Sequence, residues 1–231
     1  MNASAFLDHV AARLGRPRAI VHAPREVAGA PSAAREAIDG GSLVELFARE
    51  SAAVGATVHV VRSADEARTR VAAILEDLAA ERLVSVARGE LRAWPLDDAW
   101  KRGCVSWEGG DDAAAAHFRR AASQAQVGIA NVDFAVASTG SLLLTSAPTR
   151  PRCVSLLPTV HLALVRSEQI LPSLGDAMRE ILRRDGRVPT AALFVTGPSR
   201  TSDIENDLTI GVHGPAAVIV VVLNAPAAPS P

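Results

Sequence analysis

The apolar residues of the chain recur at helical spacing in several segments, and many of these segments begin with a polar cap. Ser42-x-x-Glu45 and Ser63-x-x-Glu66 are capping-box patterns, in which the first side chain accepts from a backbone amide at the start of a helix. Glycine or proline follows several of the segments, as is typical beyond a helix end. This pattern predicts helices over Ser4–Leu14, from Ser42 to Val54, from Ser63 to about Ala80, over Asp97–Lys101 and Asp111–Gln126, and from Ser173 to Gly186 with Met178, Ile181 and Leu182 facing inward.

Between these segments lie short, continuous apolar runs rich in β-branched residues, which are typical of buried strands. The last run, Ala217–Leu223, is an unbroken valine and isoleucine stretch and should be covered on both faces. Thr139-Gly140 separates two runs and predicts a hairpin, because glycine accepts the positive φ of a tight turn. The predicted strands are Thr57–Val61, Leu83–Val86, Cys104–Trp107, Val132–Ser138, Ser141–Ser146, Val160–Arg166, Ala191–Thr196 and Ala217–Leu223.

Helices that alternate with buried strands predict an α/β fold with three layers. We expect a mixed, mostly parallel sheet into which the hairpin around Gly140 is inserted. The predicted organisation is an N-terminal helical arm over residues 1–55 packed on one α/β domain over residues 56–224, followed by a mobile proline- and alanine-rich tail over residues 225–231.

Composition excludes several classes of protein. The chain of 231 residues has 24 basic and 25 acidic side chains and no basic stripe, so we expect no nucleic-acid partner. Cys104 and Cys153 cannot provide a cysteine-ligated zinc or iron–sulfur site by themselves, and two dispersed thiols fit a reducing compartment. No apolar run approaches the ~18 residues of a membrane span. We therefore expect a cytoplasmic protein that is not inserted in a membrane.

The segment Thr196–Glu205, TGPSRTSDIE, is the strongest local chemical signal. A predicted strand ends there, a glycine turn follows, and Ser202-x-x-Glu205 predicts the start of a helix. Free amides at a helix start, together with hydroxyls and a guanidinium, can bind an anion. The alternative is that the hydroxyls only cap the helix while Arg200 is solvated or pairs with Asp203. The candidate anion-binding residues here are Gly197, Ser199, Arg200, Thr201, Ser202, Asp203 and Glu205.

The hairpin tip is a second candidate. Thr139, Gly140 and Ser141 could donate to a substrate carboxylate or phosphate, although hydroxyls at a turn equally satisfy the turn's own backbone. Ser138 beside them is a possible member of the site. Asp133 could orient a donor or only accept from loop amides.

Histidines provide a third signal. His213 lies between glycines in a loop before the last strand and could bind a ligand or transfer a proton. His161 begins an apolar strand, where a histidine is more often structural. No HxH or HExxH spacing exists, so we expect no metal site. A Gly-Lys pair and a GxSxG elbow are both absent, which argues against a Walker A nucleotide site and an ordinary serine hydrolase.

Three ordered segments carry a resemblance to a known family. GIANVDFAVASTGSLLL, SLLPTVHLALV and TGPSRTSDIENDLTIGVHGP resemble the LUD-domain family, in particular its lactate-utilisation members, from about Gly128 to Leu223. The resemblance implies a fold like that of ribose-5-phosphate isomerase, glucosamine-phosphate deaminase and coenzyme A transferase. It implies a role in oxidising L-lactate to pyruvate beside two partner proteins, one of which carries iron–sulfur clusters.

The chain departs from this family at one position. An acidic residue often precedes the Thr-Gly of the hairpin in the family, and Ser138 stands there in this chain. Because coenzyme A transferases use a glutamate nucleophile, the serine argues against that mechanism.

Three hypotheses of function remain. The first is a subunit without clusters in a lactate-oxidising assembly, with no cofactor of its own and an anion pocket for a small carboxylate or a nucleotide. The second is a stand-alone isomerase or acyl transferase acting on phosphorylated or thioester substrates. The third is a regulatory or scaffold module without catalysis.

Overall fold

The computed structural model of the chain describes residues 3–15, 42–185, 189–202 and 208–225. The chain divides into two compact units, Met1–Ser32 and Ala33–Pro231. The described part of the first unit is helix α1 (Ala3–Arg13), where the pattern predicts a helix. Phe6, Leu7 and Leu14 of this unit are exposed. The predicted tail lies mostly outside the described residues.

The second unit alternates helices and strands. In chain order its described elements are α2 (Leu43–Ala53), β1 (Thr57–Val61), α3 (Ala64–Asp77), β2 (Leu83–Ser85), α4 (Asp97–Lys101), β3 (Val105–Ser106), α5 (Asp112–Gln124), β4 (Val127–Asn131), β5 (Phe134–Val136), β6 (Ser141–Thr145), α6 (Cys153–Leu156), β7 (Val160–Arg166), β8 (Ile170–Leu171), α7 (Leu174–Asp185), β9 (Ala192–Val195), β10 (Arg200–Ser202), β11 (Leu208–Ile210) and β12 (Ala217–Leu223). Short 3₁₀ turns cover Arg88–Leu91, Ala137–Thr139 and Ser167–Gln169. Helix α2 falls within residues 1–55, the predicted N-terminal arm.

Six strands form a parallel sheet in the order β1-β12-β7-β4-β2-β3. Val220, Val221 and Val222 of β12 are buried, as the predicted coverage of both faces requires. On one face the sheet packs against α3, α5 and α6, through side chains such as Leu75 and Phe118. On the other face it packs against α2 and a second sheet. The predicted α/β class is confirmed.

The hairpin of β5 and β6 belongs to that second sheet, whose order is β8-β5-β6-β9. The prediction that the hairpin is inserted into the main sheet is therefore wrong. The chain leaves the main sheet between two successive residues: the Val132 amide donates to Leu164 of β7, and the Asp133 amide donates to Leu143 of β6. Val127–Asn131, which the sequence analysis did not identify as a separate strand, is the strand that stays in the main sheet.

Helix α7 covers the second sheet with Ala177 and Ile181, which are buried. The predicted inward positions of Met178 and Leu182 are wrong, because these side chains are 37% and 47% exposed. Ala177 and Ile181 are instead the α7 side chains that pack against Val136 and Leu143 of the second sheet. Among the helices within the described ranges, none combines the length and the apolar character needed to cross a membrane.

The strand and the glycine turn predicted around Thr196 are present as β9 and as Gly197, whose φ is +77°. Arg200–Ser202 is strand β10, and it pairs antiparallel with β11. A helix capped by Ser202 would begin at residue 203, and residues 203–207 lie outside the described part of the chain. The predicted helix therefore falls outside the described residues and stays a prediction.

Candidate functional site

The two glycine bends predicted from the sequence lie next to each other. The hydroxyls of Thr139, Ser141 and Thr196 form a chain, with oxygen–oxygen distances of 2.8 Å and 2.7 Å. Ser141 is buried, while Thr139 and Thr196 are exposed. The hairpin tip and the bend after β9 are thus joined through side chains.

The end of α2 fills the space beside both bends. A Cβ atom on Gly140 would lie 2.2 Å from the Ser51 amide nitrogen, and one on Gly197 would lie 2.2 Å from the Val54 carbonyl oxygen. Arg200 donates from Nη2 to the same Val54 oxygen at 3.3 Å. A helix C-terminus carries partial negative charge and attracts cations. This surrounding explains Arg200 and disfavours an anion, so anion binding at these bends remains a prediction.

The other predicted residues of this region are dispersed. The Ser199 amide donates to the Pro215 carbonyl at 2.9 Å, which links the bend to the loop that carries His213, an exposed side chain. Ser138, half-buried, donates its amide to Pro172 at 3.2 Å. Thr201 and Ser202 belong to β10. Asp203 and Glu205 lie outside the described residues.

His161 lies inside the main sheet, in a strand and not in a turn. In β7 it is level with Gly128 of β4 and Val218 of β12, and it is fully buried. Burial lowers its pKa to about 4, with a small opposing effect from the Gly128 backbone. Neither ring nitrogen makes a hydrogen bond of good geometry within the described chain. The ring is neutral at neutral pH, which fits the structural alternative better than acid–base chemistry.

Asp133 is part of a buried ionic network at the open end of the hairpin. Its carboxylate pairs with Arg150 at 2.8 Å and accepts from the Thr145 amide and hydroxyl at 2.6 Å and 2.8 Å. Burial raises the pKa of Asp133, but the charge of Arg150 and these hydrogen bonds outweigh it, so the net shift is downward. Glu90 is 3.9 Å from Arg150 and accepts from the Thr149 hydroxyl at 2.7 Å.

A crevice beside this network lies at the carboxyl ends of two neighbouring strands. Within the main sheet, the strand that follows β2 is β3 on one side, whereas the next strand of this sheet after β4 is β7 on the other side. Such switch points are where open α/β sheets usually bind ligands. The crevice has a volume of about 20 Å³ and is lined by Asn131 and Arg150 among others. Asn131 Oδ1 and Arg150 Nε have no hydrogen-bond partner among the described residues.

A larger cleft adjoins the crevice and shares Pro151 and Arg152 with it. Its volume is about 410 Å³, which fits a small organic molecule rather than a single water. The cleft lies between α5, which contributes Arg119, and the segment of α6. The lining residues are Trp107, Ala115, Phe118, Arg119, Pro151, Arg152, Cys153, Leu156 and Leu157.

The charged side chains that line the cleft are both positive. Arg119 and Arg152 are exposed and have no carboxylate partner within the part of the chain that the structure describes, and no acidic residue lines the cleft. Cys153 has a raised pKa because of burial, which Arg119 opposes in part. The thiol is therefore protonated at neutral pH and does not offset the two positive charges.

Sequence reasoning did not identify this cleft. Arg119 lies in an alanine-rich amphipathic helix, where an arginine ordinarily indicates a solvated face. Arg150-Pro-Arg152 was the available signal, since two arginines follow the central strands closely. Across the described ranges, no three His, Cys, Asp or Glu side chains are grouped so that they could hold a metal ion.

Comparison with known proteins provides independent information. Residues 44–223 match the profile of a family described as "LUD domain". A protein of Bacillus licheniformis named "Lactate utilization protein C" is 41% identical over 132 residues, which are 54% of this chain and 55% of that protein. One of the same name from Bacillus subtilis is 37% identical over 57% of this chain and 53% of that protein. The match thus spans about half the length of these two relatives.

A third protein of this name, from Shouchella clausii, is 28% identical over 96% of this chain and 98% of that protein. A crystal structure of a DUF162 family protein from Deinococcus radiodurans superposes with a TM-score of 0.58 at 20% identity, covering 79% of this chain and 96% of that one. The structural likeness supports the fold.

Proposed function

Because the chain belongs to the LUD domain family, we propose that it is a component of a lactate-utilisation system that oxidises L-lactate to pyruvate. In this role it carries no iron–sulfur cluster and no cofactor of its own, works in the cytoplasm, and contacts partner proteins that carry the clusters. The observation that carries the proposal is the near full-length match to a relative named for lactate utilisation.

The cysteines of the chain agree with a role beside cluster-bearing partners. A four-cysteine cluster needs four thiolates. The chain has two cysteines, of which Cys104 is buried and has a pKa raised by burial to about 11.

The anion-binding part of this role is best supported at the cleft between α5 and α6. Arg119 and Arg152 provide positive charge and have no carboxylate partner among the described residues, and the cleft continues to the switch point of the sheet. Guanidinium groups bind carboxylates and phosphates through paired hydrogen bonds. We propose that an organic anion binds there, and the bends at Thr139 and Gly197 position α2 instead.

The proposal is tested in the organism that encodes the chain. We expect a strain that lacks the protein to lose growth on L-lactate as the carbon source while it retains growth on pyruvate, and expression of the wild-type chain should restore growth. The tagged chain should co-purify with proteins that contain iron and acid-labile sulfide. Undiminished growth of the deletion strain on L-lactate would contradict the proposal.

A further inference from the structure

We propose that the ligand of the cleft between α5 and α6 is an organic anion with a flat apolar body, larger than lactate or pyruvate. This inference rests on the anion-binding part of the proposed function, and it names the class of ligand. The class includes aromatic carboxylates and nucleoside monophosphates, which share an anionic end and a planar ring system.

The polar groups that the cleft offers are almost entirely cationic. Arg119 belongs to α5, and Arg152 directly precedes α6. Two guanidinium groups from separate elements therefore border the cleft. The Trp107 indole N–H already donates to the Pro148 carbonyl at 2.7 Å, and it is not available to a ligand. A neutral polar molecule would therefore find few partners, whereas a carboxylate or phosphate would find two.

The remaining surface of the cleft is apolar and partly aromatic. Trp107 is half-buried, and its ring lies against the buried Phe118 with centroids 5.3 Å apart and planes inclined by 50°. Leu156 and Leu157 extend the apolar surface from α6, and Leu157 is 46% exposed. Covering such surface is favourable by roughly 25 cal/mol per Å² of apolar area, and aromatic surfaces favour flat rings. A two- or three-carbon acid would leave most of this surface in contact with water.

The size of the cleft agrees with this class. Its volume of about 410 Å³ lies within the range of roughly 300–1000 Å³ for small-molecule sites. The adjoining crevice of about 20 Å³ has room for about one water molecule, so it cannot hold the ring system. The ring system therefore belongs in the cleft, with the charged group beside Arg119 and Arg152.

The test is a calorimetric titration of the full-length chain with charged and neutral pairs of ligands. The pairs are 2-naphthoate with 2-naphthalenemethanol, and adenosine monophosphate with adenosine; L-lactate and inorganic phosphate serve as small anions. We expect at least one charged aromatic ligand to bind about tenfold more tightly than its neutral counterpart and than either small anion. The naphthoate and nucleotide arms distinguish a carboxylate from a phosphate ligand.

Variants of neighbouring arginines provide the matched control. Arg119→Ala and Arg152→Ala should each weaken binding of the charged aromatic ligand about tenfold, whereas Arg120→Ala, an exposed neighbour outside the cleft lining, should not change it. Circular dichroism of each variant checks the fold. Because the guanidinium groups are exposed, wild-type affinity should also fall as salt rises.

Four results would overturn the inference. Equal binding of charged and neutral ligands, or equal weakening by Arg120→Ala, would show that the two arginines do not select the ligand. Binding of L-lactate or phosphate as tight as that of the aromatic anions would show that the ligand needs no flat apolar body. The proposed anion site would still stand. Absence of binding by every anion at millimolar concentration would overturn the ligand class and the anion site.

Discussion

Asp133 and Arg150 show how a single buried charge determines local structure. The Asp133 side chain is 1% exposed and Arg150 is 16% exposed, so this ion pair is largely shielded from water. Thr145 donates twice to Asp133 and also accepts from Arg150 Nη2 at 3.1 Å. This network joins the open end of the hairpin to the segment that continues into the cleft.

Replacing Arg150 by methionine should therefore destabilise the protein strongly. The variant leaves a carboxylate buried without its counter-ion, and the expected loss of unfolding free energy is about 3–5 kcal/mol. As a control, Arg179→Met breaks an ion pair with Asp176 in which the arginine is 70% exposed, and about 0–1 kcal/mol is expected. Urea denaturation measures both, and similar losses in the two variants would contradict the argument.

His161 should give the protein a specific dependence of stability on pH. Burial lowers the folded-state pKa to about 4, whereas the unfolded chain binds a proton below about pH 6.5. The contribution of His161 to the free energy of unfolding is therefore fully present above pH 6.5 and falls as the pH decreases toward 4. This contribution amounts to at most about 3 kcal/mol. The lowered pKa of Asp133 acts at more acidic pH.

The measurement compares denaturation midpoints of wild type and His161→Leu between pH 7 and pH 4. The variant should lose less stability over this range than the wild type, whereas His213→Gln, at an exposed position, should behave like the wild type. His59 contributes in the same direction in both proteins, because burial and the charge of Arg70 lower its pKa. An unchanged slope in His161→Leu would show that the ring titrates normally.

At the scale of elements, the C-terminal end of helix α2 is held by close backbone approach, in addition to the buried side chains Val44 and Phe47. Ser42 and Glu45 form the predicted capping box. The Glu45 amide donates to Ser42 Oγ at 3.2 Å, and the Ser42 amide donates to Glu45 Oε2 at 3.3 Å. At the other end of the helix, Gly140 and Gly197 let two bends of the second sheet touch the helix backbone. The glycines that suggested a ligand site are therefore explained by helix packing.

Gly140→Ala should be more harmful than an equivalent change at a glycine in open space. Gly140 has φ of +61°, and the added Cβ would lie 2.2 Å from the Ser51 nitrogen. Gly103 has φ of +75°, but a Cβ added there would meet no atom within 4 Å, so Gly103→Ala should cost only the left-handed strain of about 1–2 kcal/mol. We expect Gly140→Ala to cost about 1–3 kcal/mol more, measured by thermal unfolding. Equal costs would indicate that α2 can move aside.

At the scale of the whole molecule, the cleft depends on contacts made inside the sheet. A Cβ on Gly128 of β4 would lie 1.9 Å from the Val154 carbonyl oxygen of α6. The missing side chain thus lets α6 lie directly on the sheet, beside α5. One strand position therefore sets the position of a cleft wall that carries Leu156 and follows Arg152.

Gly128→Ala should displace α6 and weaken binding of a charged aromatic ligand such as 2-naphthoate, besides lowering the melting temperature. Gly89→Ala is the control, because the nearest atom to its added Cβ is the flexible end of Arg92 at 3.6 Å. We expect the control to retain both affinity and melting temperature. Ligand affinity that is unchanged in a folded Gly128→Ala protein would show that α6 does not form the cleft wall.

The order of helices and strands was determined by the sequence itself, because periodicity and capping are local properties. The capping box at Ser42, the valine run of β12 and the α/β class follow from residues that are close in the chain. Tertiary structure alone decided that β5 and β6 form a second sheet, that Arg200 begins a strand, and that Met178 faces outward. Each of these depends on contacts with another element: β6 pairs with β9, Arg200 pairs with Ile210, and Ala177 and Ile181 of α7 pack against Val136 and Leu143. The cleft has the same origin, since Trp107, Arg119 and Arg152 come together only when separate elements pack on one sheet.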